Sequence, residues 1–200
     1  MQKIVDPYFD EKIGDLRNLL GAKNSKELCE VEAQIVFANE LELKSANIPR
    51  TNNPAELLQI HKHLFGDVYD WAGRIRTVDI KKKAKDADFF LIVSKIDDAL
   101  DYVFAELEKE NFLIGLPTDE FIIRLAYFYD QLNYIHPFRE GNGRVQRIFW
   151  SRIAHDAGYE IDWSEVTGDE NNEASRLAAE KMDLSKLESM LTKITKSRES

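Results

Sequence analysis

The chain has 200 residues, of which 44% are hydrophobic and 32% charged, with a formal net charge of −9. That is enough apolar material for the core of one domain over residues 1–200. An acidic balance of this size argues against broad binding to nucleic acid or to an anionic membrane, so neither is expected as a partner.

The opening residues, MQKIVDPYFD, contain no apolar run of the signal-peptide kind. Leu28, Val31, Ile35, Ala38 and Leu41 then recur at three- and four-residue steps, which predicts a helix with one buried face and Asn24 or Ser25 as its cap. Cys29 is the only cysteine, so no intramolecular disulfide forms, and a reducing, cytoplasmic setting is the expectation. After a loop over 48–53, Pro54 suits the first position of a second helix, with Asn53 as cap. That helix carries Leu57, Ile60 and Leu64 and ends near Gly66. Its His61 and His63 are two apart, on different faces, which is poor geometry for a shared metal; both read as structural.

Residues 76–92 change pattern. Thr77 to Ile80 and Phe89 to Ile92 are β-branched or aromatic and flank a lysine-rich tip, which predicts a β-hairpin. The tip, Lys81 to Lys83 and Lys85, reads as a solvated turn. The apolar run Phe89 to Val93 is far too short to span a bilayer. Helices follow at about 95–111 and 119–135, the second capped by Thr118. Val145, Ile148, Phe149 and Ile153 mark another, closed by Gly158, and Leu184, Leu187, Met190, Leu191 and Ile194 mark a last one. Trp71 and Trp163 read as core. The expected fold class is all-α, a helical bundle with one β-hairpin.

The stretch His136 to Arg147 sits between two of these helices. Pro137 disfavours helical geometry at His136, which predicts an extended His136 at a helix end. Gly141, Asn142 and Gly143 open the next helix, where successive N–H groups can form an anion nest at a positive helix end. Arg144 and Arg147 are near neighbours three residues apart, and two guanidinium forks beside a nest suit a polyphosphate. Glu140 is a hard oxygen ligand that suits Mg²⁺ shared with substrate phosphates. His136 stands close enough to act as a general base near neutral pH. Each feature alone is commonplace; their joint occurrence in order is not.

His136-Pro137-Phe138-Arg139-Glu140-Gly141-Asn142-Gly143-Arg144-Val145-Gln146-Arg147 resembles the Fic family signature HPFx(D/E)GNGRxxR at every defined position. Ile60-His61, Leu64-Phe65 and Tyr69 to Gly73 resemble the family's upstream helix and turn. The resemblance covers about 55–160, with N-terminal helices over 1–53 and C-terminal helices over 165–198 matching in general pattern. It implies a Fic fold and an adenylyltransferase that moves AMP from ATP to a hydroxyl of a target protein. His136 would be the base, Glu140 the Mg²⁺ ligand and residues 141–143 the phosphate cradle. Arg144 would meet the β-phosphate and Arg147 the γ-phosphate. The hairpin would be the flap that docks the target by strand addition, with Ile80, Phe89 and Phe90 as docking residues, although the two phenylalanines read equally well as core-facing.

The family's inhibitory pattern, (S/T)xxxE(G/N), finds no complete match. Glu110-Asn111 has Glu106 at the Ser/Thr position, Glu170-Asn171 has Val166, and Thr195 with Glu199 is followed by Ser200. The resemblance therefore implies a bacterial toxin restrained by a small helical antitoxin that points a glutamate at Arg147. The alternatives are a host-directed effector, a non-catalytic nucleotide-binding module, and a relative that transfers another phosphate-linked group. The intact His136 and Glu140 count against the module, and Gly143 against the phosphotransferase branch, which carries lysine there.

Overall fold

A computed structural model of the chain describes residues 6–43, 45–81 and 90–198. Within them the polypeptide is mostly helical. Helices α1 (Ser25–Glu42) and α2 (Pro54–Phe65) start as read: Asn24 Oδ1 accepts from Glu27 N, and Asn53 Oδ1 accepts from Ala55 N, each at 3.0 Å. Each cap satisfies an N–H that a helix start leaves without an intrahelical acceptor. Leu57, Ile60 and Leu64 are buried on α2. On α1 the expected face is turned: Leu28 and Val36 are buried, whereas Ala38 and Leu41 face solvent. Helix α1 lies against α2 at the edge of the bundle, so only a narrow stripe of it is covered.

Helices α3 (Ile96–Lys109), α4 (Thr118–Ile135) and α5 (Asn142–Asp156) enclose the core with α2. Ile60, Leu64, Leu107, Leu125, Phe128 and Phe149 expose nothing to solvent. Each such side chain contributes about 1.5–3 kcal/mol by its removal from water. Helix α3 stops before residue 111, because Asn111, Phe112 and Leu113 take φ of 52°, 53° and 64°. Thr118 is the first helical residue and not the cap; Pro117, held extended, precedes it.

Helix α6 (Gly168–Lys181) carries no long apolar stripe, which is why periodicity did not mark it. It starts on a capping box between Thr167 and Glu170 and buries Ala174 and Ala178. Helix α7 (Ser185–Ile194) buries Leu187, Met190, Leu191 and Ile194, as read. Two unexpected antiparallel pairings complete the described fold: β1 (Phe9–Asp10) with β2 (Asp15–Leu16), and β3 (Tyr159–Ile161) with β4 (Thr195–Ser197). Strands of two and three residues leave no alternation to detect.

Of the predicted hairpin over 76–92, residues 82–89, Phe89 among them, lie outside the described residues, as does Glu199. Its arms meet among the described residues where Phe90 N donates to the Ile80 carbonyl at 3.2 Å. No helix of the described residues is long and apolar enough to cross a membrane.

Candidate active site

The 136–147 stretch runs from the end of α4 into the start of α5. His136 is not extended. It takes the left-handed conformation, φ 49° and ψ 63°, with its N–H still donating to Leu132 O at 3.1 Å. Pro137 forbids only the right-handed continuation, and the left-handed turn keeps the last helical bond while reversing the chain. The His136 ring stacks on Phe90 with centroids 3.7 Å apart, and its Nδ1 lies 3.2 Å from the Asn133 carbonyl. Only an N–H can donate to that carbonyl, so in the neutral ring Nδ1 carries the proton and Nε2 is the basic nitrogen.

The loop beyond is braced from inside. The Asn142 side chain closes it on itself: Oδ1 accepts from Phe138 N at 2.9 Å and Nδ2 donates to Phe138 O at 2.7 Å. The Asn142 side chain, expected to meet phosphate, is thus engaged within the loop. Gly141 has φ 82°, and a Cβ there would sit 2.4 Å from the Phe65 ring, so glycine is required twice over. Beneath the loop, fully buried His61 accepts from Gly73 N at Nδ1, 2.7 Å away, and donates from Nε2 to the Glu140 carbonyl at 3.1 Å. It lies between the rings of Phe65 and Phe138, at 4.9 and 4.0 Å.

Burial lowers the His61 pKa from 6.5 to about 4; Arg144 and Lys62 lower it further, against the Glu140 carbonyl bond that raises it. The unfolded chain thus binds the extra proton first. Stability should be full above pH 6.5 and fall as the pH drops towards 4, by about 3 kcal/mol from this group. Urea unfolding across that window should show the slope, and His61→Phe should flatten it. An unchanged slope in the variant would remove His61 as its source.

Glu140 and Arg144 face each other across the start of α5. Glu140 Oε1 accepts from Gly141 N at 2.9 Å and lies 3.5 Å from Arg144 Nη2. The Arg144 guanidinium rests 4.6 Å above the Phe65 ring and donates to Glu32 Oε1 on α1 at 2.6 Å. Tyr69 donates its hydroxyl to the other oxygen of Glu32. Burial and the adjacent Glu32 push the Tyr69 pKa far up, so it remains a donor. Arg147 lies one turn along α5, and a Cβ on Gly143 would come 3.6 Å from its Nη1. Among the described residues no carboxylate pairs with Arg147. No side chain caps the first turn of α5, which leaves its positive end to an anion.

Sequence reading missed three groups here. Glu32 and Tyr69 hold Arg144, and buried Arg76 joins the Ile135 and His136 carbonyls to those of Val78 and Leu91. Each is a charged or polar side chain with partners distant in sequence, Arg76 also reaching Val78 two residues on, so no local pattern reveals it. Ile80 is half-buried and meets Phe90 through the backbone, and Phe90 lies on His136.

Among the described residues no three His, Cys, Asp or Glu side chains converge on a point. Glu140, half-buried, offers a single hard carboxylate beside the uncapped helix end. That donor set fits Mg²⁺, which is commonly held by one carboxylate with substrate phosphates and water. The site as a whole brings one imidazole, one carboxylate and two guanidinium groups to the loop and the helix start that follow α4.

Residues 51–154 match the model of the Fic/DOC family. Over 170 residues, 85% of the chain, the sequence is 41% identical to the protein adenylyltransferase VbhT of Bartonella schoenbuchensis, of which it spans 35%. It is 33% identical over 198 residues to the "Probable protein adenylyltransferase Fic" of Salmonella typhimurium, covering 97% of this chain and 94% of that protein. The fold superposes on the N-terminal Fic domain of a VirB-translocated Bartonella quintana effector, solved with bound ADP. There the TM-score is 0.89 and the identity 28%, over 96% of this chain and 95% of that one. BepC of Bartonella tribocorum, solved with AMPPNP, gives a TM-score of 0.87 at 25% identity, over 96% and 97% of the two chains.

Proposed function

The chain belongs to the Fic/DOC family, and from that footing we propose that it is a protein adenylyltransferase, moving AMP from ATP to a hydroxyl side chain of a target protein and releasing pyrophosphate. The observation that carries the reading is the gathering of His136, Glu140, Arg144 and Arg147 around the uncapped start of α5. His136 Nε2 takes the proton of the attacking hydroxyl. The backbone N–H groups of residues 141–143 and the two guanidinium groups hold the triphosphate and stabilise charge as it develops on the leaving pyrophosphate. Mg²⁺ held by Glu140 would neutralise phosphate charge. Ile80, Phe89 and Phe90 belong to the flap that docks the target segment.

The test is which phosphorus reaches protein. Label from α-³²P-ATP should become attached to a protein band in a bacterial lysate, and label from γ-³²P-ATP should not. Transfer of the γ-label would place the chain with phosphotransferases. Chelation of divalent cations should stop transfer; undiminished transfer would remove Glu140 from its role.

The biological setting we infer is a bacterial toxin held in check by a small helical antitoxin. In support, Arg147 has no carboxylate partner among the described residues, while Arg144 already has Glu32. A glutamate supplied to Arg147 would take the charge-assisted bonds meant for the γ-phosphate. Expression of this chain alone should slow bacterial growth, and the His136→Ala variant should not. A second setting, a host-directed effector with the same chemistry, draws support from the VirB-translocated proteins that share the fold. Labelling in a eukaryotic lysate but not a bacterial one would favour it.

A further inference from the structure

Arg76 is 1% exposed and stands three residues beyond Gly73. Its guanidinium carries five N–H donors in one rigid plane. Nε donates to the His136 carbonyl at 2.9 Å, and Nη1 donates to the Val78 carbonyl at 2.7 Å. Nη2 donates to the Leu91 carbonyl and, at 3.4 Å, to that of Ile135. The Arg76 backbone N–H donates to Pro137 O at 2.9 Å. Ile135 and His136 end α4, where carbonyls lack intrahelical donors and the helix dipole is negative, so a cation is favoured there. Val78 and Leu91 are the roots of the two flap arms. The same roots are tied by Leu91 N donating to Tyr134 O at 3.2 Å and Val93 N donating to Asp79 Oδ1 at 2.8 Å. Asp79 Oδ1, 3.9 Å from Nη1, is the nearest carboxylate of the set and is itself half exposed.

We propose that Arg76 is a positioning residue for the transfer: one guanidinium grips both flap arms and the backbone of His136, and so sets where a docked hydroxyl meets the imidazole. This rests on the reading of His136 as the base. A lysine at this position keeps the charge but presents a single ammonium, which cannot reach carbonyls on both sides of the plane. The grip is therefore specific to arginine. An arginine that merely stabilised the fold would affect the whole molecule together; one that positions should affect the flap roots and the rate while sparing the nucleotide site.

The experiment compares wild type with Arg76→Lys by circular dichroism, ATP affinity, amide hydrogen exchange and AMP transfer from α-³²P-ATP. The variant should keep its helical spectrum and bind ATP within a few-fold of wild type. Its amides at 90–93 should exchange at least about tenfold faster, with those of α5 unchanged, and transfer should drop by about 10²-fold, the scale of a small misplacement of reacting groups. Faster exchange at 90–93 with transfer within a few-fold of wild type overturns the proposal, as does exchange that rises equally in α5. If the variant does not fold, exchange in the wild-type protein decides. The amides of Leu91 and His136 donate to Tyr134 O and Leu132 O, and the carbonyls of the same two residues are gripped by Arg76, so both amides should open together, with protection equal within about tenfold; a larger gap overturns the coupling. Failure of wild type to transfer AMP at all would sink the underlying reading of the function, and that is seen before any variant is made.

Discussion

Replacing His136 by alanine should reduce AMP transfer by about 10²–10⁴-fold, the usual cost of losing a general base, while the affinity for ATP stays within a few-fold of wild type. The separation follows from the geometry. The imidazole is fixed from the end of α4, through Asn133 O and the Phe90 ring, whereas the groups suited to phosphates lie on the loop and on α5. The backbone of residue 136 keeps its bonds to Leu132 and Arg76 whatever the side chain, so the loop need not move. Alanine does pay for the left-handed φ, which histidine also bears. Single-turnover transfer and equilibrium ATP binding measured on one preparation separate the two quantities. Activity within a few-fold of wild type would end the assignment of His136 as base; lost ATP binding would make it a structural residue instead.

Glu56→Ala should destabilise the protein by about 3–5 kcal/mol, because it leaves the largely covered guanidinium of Arg152 without its counter-charge. The Glu56 side chain exposes nothing to solvent, and Oε1 lies 2.7 Å from Arg152 Nε on α5. Oε2 accepts from Asn52 N at 2.8 Å, and Arg152 Nη2 donates to Ile48 O at 2.8 Å. Glu56 thus does three things: it supplies negative charge to the first turn of α2, anchors the loop that enters it, and pins α2 to α5. For a chain of this length the loss should lower Tm by roughly 10 °C. A drop under about 2 °C would show that the pair breaks even against water. The double variant Glu56→Leu with Arg152→Met should recover much of the loss, since removing both charges leaves neither orphaned.

The contrast between these residues explains what could be read in the sequence. His136, Glu140, Arg144 and Arg147 lie within one contiguous run, so their proximity follows from chain connectivity. Helices α2 to α5 were legible because Asn53, Pro54 and the spacing of buried apolar residues act locally. Glu56, Arg152, Glu32 and Arg76 were not, because a charged residue on an amphipathic helix or after a turn is solvated by default. Only the arrival of a distant partner makes it a core element. The extended geometry expected at His136 failed for a related reason: Pro137 excludes one conformation locally, and the helix end selects among those left. Helix α6 lies within the C-terminal helices expected over 165–198, but its own apolar spacing does not mark it, because two alanines suffice to bury it.

Gly141 and Phe65 have an evolutionary consequence. A Cβ at 141 collides with the same ring on which the Arg144 guanidinium lies, so the three positions are inherited as one unit. A mutation that shrinks Phe65 to admit a larger residue at 141 also takes away the platform under Arg144. It still leaves the left-handed φ at 141, which any L side chain bears at about 1–2 kcal/mol. Adding a Cβ at 141 and removing the ring at 65 each carry a cost, and making both changes does not restore the platform under Arg144. Descendants of this sequence can drift over the exposed face of α1, but a ring at 65 and a glycine at 141 are needed together for as long as Arg144 rests on that platform.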